Sequence, residues 1–314
     1  MQLTVYWVVE KKKGYGKMRK KLFRRVVSIT MAGLMAFTAS FSDFSGTLMA
    51  KADTNAQPGD LSAATDYGLV DNVQDGVILH CWNWSYSNIS ANMEAIAEAG
   101  YSAVQTSPIQ AAKEGTTGKS VGTNWWVYYQ PAGFWIDNSG NSALGNKAEF
   151  KAMCDKAEQY GIKVIVDVVA NHVGNKTGNN FADTVDPEIK NDASMVHTVT
   201  ENSNYSTRYE NTQKCICNCP DLNTGNSKIQ NKVLSFLKEC IDAGADGFRF
   251  DAAKHIETAE ETGGFASQFW PTVVNGAKSY YKEKTSGNLY CYGEILDNLA
   301  SSGSFSSSFF KLSL

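Results

Sequence analysis

The sequence predicts an α/β fold of parallel strands and crossover helices, interrupted by one irregular insert. Three observations carry this reading. Short apolar runs alternate with segments of helical period along much of the chain. One run, Ile162–Val169, is almost continuously β-branched, as a parallel strand buried on both faces requires. About 50 residues, Gly174–Asn223, then pass before the next helical segment, rich in Asn, Asp, Ser and Thr. Loops of that length inside a compact domain are functional or form small inserted domains.

Residues 1–52 read as a leader. Lys17, Arg19, Lys20, Lys21, Arg24 and Arg25 precede an apolar segment, Val26–Ala39, and Ala50-Lys51-Ala52 forms a small-x-small cleavage site. The apolar segment is short for a membrane span. Export with a mature start near Asp53 is expected; an uncleaved anchor is the alternative. Residues 53–75 form a polar lead-in.

Val77–Trp82 reads as the first strand. Ile89–Ala99 is a helix with Met93, Ile96 and Ala97 on one face, ended by Gly100. Ala103–Thr106 is the second strand, stopped before Pro108. Gln110–Gly145 reads as a long loop. Lys147–Tyr160 is a helix with Phe150, Met153, Cys154 and Ala157 on one face, ended by Gly161, and Ile162–Val169 is the third strand. Lys228–Ala243 is a helix capped by Gly244, and Ala245–Asp251 the fourth strand. A helix lies within Phe265–Lys284, and Leu289–Glu294 is the fifth strand. Periodicity does not separate a barrel from a doubly wound sheet.

The chain has 314 residues, is 43% hydrophobic and 19% charged, and carries a net charge of −3. This is the profile of an ordinary soluble globular enzyme. Its mild acidity argues against a nucleic-acid partner. Beyond the leader, no segment is apolar enough to cross a bilayer. Seven Trp and 14 Tyr suit a carbohydrate groove, or simply a large core. The seven cysteines are Cys81, Cys154, Cys215, Cys217, Cys219, Cys240 and Cys291. The spacing of Cys215, Cys217 and Cys219 lacks a distant partner pair, which argues against zinc. One disulfide and free thiols both remain open.

The chemistry concentrates in GFRFDAAKH, Gly247–His255. Phe248 and Phe250 alternate with Gly247, Arg249 and Asp251, which is strand periodicity ending in charge. Active sites of parallel barrels sit at such strand ends. Arg249 and Asp251 share one strand face, and an arginine there lowers the pKa of the carboxylate and keeps it ionised, as a nucleophile needs. A structural Arg–Asp pair is the plainer alternative. Glu294 closes the next strand, so both carboxyls can point into one mouth, the pairing that glycosidic hydrolysis needs. Burial and the nearby anion are expected to raise the pKa of Glu294. Asp167 sits among Val164, Ile165 and Val166 and must be paired or hydrogen-bonded.

GFRFDAAKH resembles the second signature of the α-amylase family of glycoside hydrolases. KVIVDVVANH (Lys163–His172) resembles the first, YGEIL (Tyr292–Leu296) the third, and CPDLN (Cys219–Asn223) the segment before the second. The resemblance runs from about Gly76 to about Leu296 and is strongest to secreted bacterial members. It implies an incomplete (β/α)8 TIM-type barrel, about strands one to five, with a B-type insert domain at 174–223 between barrel parts 76–173 and 224–300. It implies a retaining α-amylase acting on internal α-1,4 bonds of starch, amylose and malto-oligosaccharides, secreted and monomeric. Another starch-acting member of the clan and an inactive glycan-binding fragment are the alternatives.

Residue by residue, the resemblance makes Asp251 the nucleophile and Glu294 the acid/base. Trp125, Trp126, Tyr129, Gln130, His172, Arg249, Lys254 and His255 become glucan contacts or neighbours of the nucleophile, and Asp167 a support for the arginine. It implies a structural Ca2+ held by Asn171, Asp221 and the carbonyls of Thr212 and His255, a set of oxygen donors that suits this ion. Seen without the family, Asn171 and Asp221 are turn residues. A fourth signature with an Asn-His-Asp core, which carries a third carboxylate, is absent. The expectation is therefore an incomplete sequence, with 301–314 a low-complexity or frameshifted tail.

Overall fold

The computed structural model describes residues 67–117, 124–197, 200–202 and 207–295. The expected leader, most of the lead-in and the 301–314 tail lie outside the described residues.

Five parallel strands form the main sheet: β1 (Ile78–Cys81), β2 (Ala103–Thr106), β5 (Lys163–Val169), β6 (Gly247–Asp251) and β7 (Tyr290–Gly293), hydrogen-bonded in that order. The order follows the chain, so each crossover moves one strand along in the same direction. Every strand starts or ends within two residues of its sequence-based bounds. Within β5, Val164, Ile165, Val166, Val168 and Val169 are fully buried, as a strand covered on both faces must be.

The sheet is curved rather than flat. Tyr292 of β7 donates its hydroxyl hydrogen to Oε1 of Gln105 on β2, three strands away. In a flat sheet those strands would stand about 14 Å apart. The two faces are also unlike. Helices and outward strand residues, among them Phe150, Val164, Val166, Phe236, Phe248, Phe250 and Trp270, form one large core. The inner face carries a separate small cluster of Val73, Ala103 and Ile165, with Ile78, Tyr290 and Tyr292 against it and no residue from the long crossover helices. A doubly wound sheet carries helices on both faces, so this is an arc of a barrel. Among the described residues the arc does not close.

Local chemistry sets the crossovers. The Lys147–Gln159 helix starts with a capping box: Asn146 accepts from the Glu149 amide at 3.0 Å, and Glu149 accepts from the Asn146 amide at 2.8 Å. Gly161 and Gly244 end their helices at φ 69 and 106, the left-handed region where glycine costs least. The single helix expected over Ile89–Ala99 is two short ones, Tyr86–Ala91 and Met93–Glu98. The break falls at Asn92, whose side chain donates back to the Asn88 carbonyl at 2.9 Å and so competes with the helix ladder.

The expected loop Gln110–Gly145 contains an antiparallel pair, β3 (Gln110–Ala112) with β4 (Pro131–Ile136). Pro131 opens β4, a position proline tolerates because it has no amide to donate. Gln110 locks this pair to the barrel: Nε2 donates to the carbonyls of Gly133 and Val169, each at 3.0 Å, and Oε1 accepts from the Val169 amide at 2.8 Å. The region expected as insert holds only short pieces, the helices Pro187–Asn191 and Arg208–Gln213 and isolated bridges, Val196 with Leu222 among them. No disulfide joins the seven cysteines, and among the described residues no helix is long and apolar enough to cross a membrane.

Gly247 sits where β6 packs closely between β5 and β7. A Cβ there would lie 2.4 Å from the Tyr290 carbonyl oxygen and 2.6 Å from Ile165 Cδ1. Gly247→Ala is expected to lower stability by about 1–3 kcal/mol through overpacking. An unchanged urea midpoint would contradict the packing of β6 between β5 and β7.

Candidate active site

The register of the parallel strands assembles the charged cluster. Asp167, Arg249 and Tyr292 are lateral partners on β5, β6 and β7. Two residues further along, Asp251 ends β6. Glu294 follows β7 and is fixed by its backbone: its amide donates to the Phe250 carbonyl at 2.8 Å, and its carbonyl accepts from the Ala253 amide at 3.1 Å. Both carboxyls therefore stand at the C-terminal mouth of the arc.

Arg249 joins the cluster. Its Nη1 donates to both oxygens of Asp167 at 2.7 Å and to Asp251 Oδ1 at 3.1 Å, while Nη2 lies 3.0 Å from Glu294 Oε1. Glu294 Oε2 accepts from the Ala252 amide at 3.1 Å. That amide is available because Ala252 turns the chain at φ 49, in the left-handed region.

Three carboxylates face one guanidinium, a surplus of negative charge. The sequence leads to an Asp251 held ionised by Arg249. Instead, burial first, then the charges of Asp167 and Glu294, push Asp251 well above the ordinary carboxylate range, with Arg249 opposing. The shift favours the protonated form of Asp251 over the free carboxylate. For Arg249, burial works against the charge, but the surrounding carboxylates outweigh it and keep the guanidinium protonated.

Tyr129 closes one side. Its hydroxyl donates to Asp167 Oδ2 at 3.0 Å, and burial keeps that hydroxyl protonated. Its carbonyl accepts from His172 Nε2 at 2.9 Å. Trp82 stacks on its ring at 5.6 Å and 20°, and Trp125, 44% exposed, stands edge-on at 6.1 Å. Trp126 lies beneath the Lys113 ammonium at 5.0 Å, and Gln130 Oε1 is buried without a hydrogen-bond partner. Trp82 carries no signal in the sequence beyond its place at a strand end.

His172 and His255 are buried. The His255 ring donates from Nδ1 to the Asn211 carbonyl at 2.8 Å, and burial pushes its pKa down to about 3. The Lys254 carbonyl accepts from Arg208, which is ion-paired to Glu261. Asn171 Nδ2 donates to Asp221 Oδ1 at 3.1 Å, while Asn171 Oδ1 is buried with no partner. Thr212 is fully buried, and its carbonyl accepts from Gln213 at 3.0 Å. Among the described residues, no group of three or more His, Cys, Asp and Glu side chains is arranged to hold a metal ion. Any cation here would rest on Asn171 Oδ1, one carboxylate and backbone carbonyls. No motif in the sequence marks His197, which lies against Asp221, or Glu257, its second partner.

The fold and site together define a barrel-type α/β protein with a carboxyl pair at the strand mouth. A family model for the α-amylase catalytic domain matches residues 86–284. An α-amylase of Clostridium acetobutylicum is 41% identical over 246 residues, covering 76% of this chain and 30% of that protein. One of Butyrivibrio fibrisolvens is 35% identical over 288 residues, covering 82% and 29%. Among solved structures, the α-amylase of Geobacillus thermoleovorans superposes with a TM-score of 0.55 at 20% identity, covering 72% of this chain and 48% of that one, a likeness of fold. The chain belongs to the α-amylase family of glycoside hydrolases. It spans just under a third of the length of the two curated relatives.

Burial pushes the pKa of His172 from 6.5 down to about 4, with the bond to Tyr129 opposing. Between those values the unfolded chain binds a proton that the fold does not. Stability from this residue is therefore full above 6.5 and is lost as pH falls towards 4. His172→Gln should flatten the fall in unfolding free energy across that range by up to about 3 kcal/mol. Parallel urea-midpoint curves for the two proteins would contradict a neutral, buried His172.

Proposed function

We propose that this chain hydrolyses internal α-1,4-glucosidic bonds of starch and related glucans with retention of configuration, Asp251 serving as nucleophile and Glu294 as acid/base. The observation that carries this reading is the convergence of both carboxyls on Arg249 at one strand mouth. Retention needs one ionised and one protonated carboxyl flanking a single bond. With Glu294 protonated and Asp251 ionised in the complex with substrate, the Glu294 proton passes to the leaving oxygen while Asp251 attacks the anomeric carbon. Water then releases the sugar, with Glu294 as base. Trp125 and Tyr129 offer ring faces beside the cluster for sugar stacking.

A structural calcium ion fits the same reading. Asn171 Oδ1, the Asp221 carboxylate and the carbonyls of Thr212 and His255 would hold it, and the unpartnered Asn171 oxygen is what favours a cation there. Such an ion would fasten 174–223 to the ends of β5 and β6. The basic run, apolar segment and Ala50-Lys51-Ala52 of the first 52 residues support export of the protein.

Purified chain incubated with soluble starch should release reducing ends, with the α-anomer formed first. Asp251→Asn should lower the rate by about a thousandfold or more. Equal rates for the two proteins would refute the assignment, and binding of maltoheptaose without bond cleavage would favour a glycan-binding role. Excess chelator should lower the melting temperature by several degrees. An unchanged melting temperature would remove the calcium reading.

A further inference from the structure

His197 lies outside every motif, yet it makes two charge-assisted contacts in the protein interior. Nδ1 lies 2.8 Å from Asp221 Oδ2, and Nε2 lies 2.9 Å from Glu257 Oε1. The three side chains are 11%, 1% and 2% exposed. The His197 amide also donates to the Asp221 carbonyl at 3.1 Å. Both ring nitrogens therefore act as donors, to carboxylates on two separate segments. Asp221 closes the region between β5 and the next long helix, and Glu257 follows the turn after β6.

The second carboxylate extends the contact. Glu257 Oε1 accepts from Gln213 Nε2 at 2.6 Å, and Oε2 accepts from Thr224. The same Gln213 nitrogen donates to the Thr212 carbonyl at 3.0 Å. A single network thus reaches two of the four candidate calcium donors: Asp221 through His197, and Thr212 through Glu257 and Gln213. Asp221 Oδ2 is occupied by His197, which turns Oδ1 towards Asn171. Groups that orient metal ligands from behind commonly set affinity by tenfold to a hundredfold.

We propose that His197 is a positioning residue for the cation site: by holding Asp221 Oδ2 it fixes the carboxylate so that Oδ1 stays against the Asn171 side chain, whose own oxygen is left without a partner. This inference rests on the calcium reading above. His197 also bridges the two segments directly, so the site keeps its shape when no ion is bound.

Two substitutions separate this role from general support. In His197→Asn the amide nitrogen takes the place of Nδ1 and retains the donor to Asp221. In His197→Gln it takes the place of Nε2 and retains only the donor to Glu257. Calcium affinity is measured on the full chain by competition with a fluorescent chelator, and melting temperature in excess chelator. Both variants should lose similar amounts of metal-free stability. His197→Gln should bind Ca2+ about 10–100-fold more weakly, while His197→Asn stays within about threefold of the unaltered protein. Equal affinity losses in both variants, or none in His197→Gln, would overturn the positioning role and leave the calcium reading standing. Failure of the unaltered protein to bind Ca2+ would overturn both.

Discussion

Three carboxylates gathered on one buried arginine are the constraint that the rest of this structure serves. Arg249 is only 13% exposed in its side chain, and Asp167 not at all. Desolvating such a group is costly unless each charge finds a partner with good geometry. Strand register supplies the geometry: Asp167 and Arg249 are lateral partners, and Asp251 lies two residues along on the same face as Arg249. Removing one partner would leave uncompensated charge in the interior, so the strands that carry them must keep both order and register. The curvature seen in the bond from Tyr292 to Gln105 has the same effect, turning the charged face of the arc inward.

The connections outside the sheet hold this cluster from two directions. The β3–β4 pair, pinned to Val169 by Gln110, leads through Trp125–Tyr129 back to Asp167. From the other side, the segments around Asp221 and Arg208 grip the chain just after Asp251. Arg208 takes the Lys254 and Ile256 carbonyls, and His197 takes Glu257. Loops that carry function on a rigid scaffold need such anchors. The anchors named here are buried polar contacts, which fix orientation more than they add stability.

Much of this was legible in the sequence, and the failures have physical causes. The β-branched run of β5 and the Phe–x–Phe pattern of β6 announced their strands because a buried parallel strand leaves few alternatives. β3 and β4 did not. One is only three residues long, and the other begins with proline and contains Gly133, so neither alternates cleanly. The curvature of the sheet was invisible because barrel and open sheet share one periodicity. Asp251 and Glu294 were readable from their strand ends. The direction of the Asp251 shift was not, since it depends on burial first and then on Asp167 and Glu294, which are close only after folding. His197, Glu257 and Trp82 belong to the same class. Each is an ordinary residue in its local sequence and acquires its role from a partner at least 24 positions away.

Asp251, buried and crowded by Asp167 and Glu294 around a single guanidinium, keeps its proton above the ordinary carboxylate range. Isotope-edited infrared spectroscopy counts protonated carboxyl groups directly. With 13C-labelled aspartate side chains, the folded protein should show a buried carboxylic-acid band, lost in Asp251→Asn, that persists to higher pH than the bands of exposed aspartates. An Asp251 band that gives way to carboxylate together with the exposed aspartates would contradict the account.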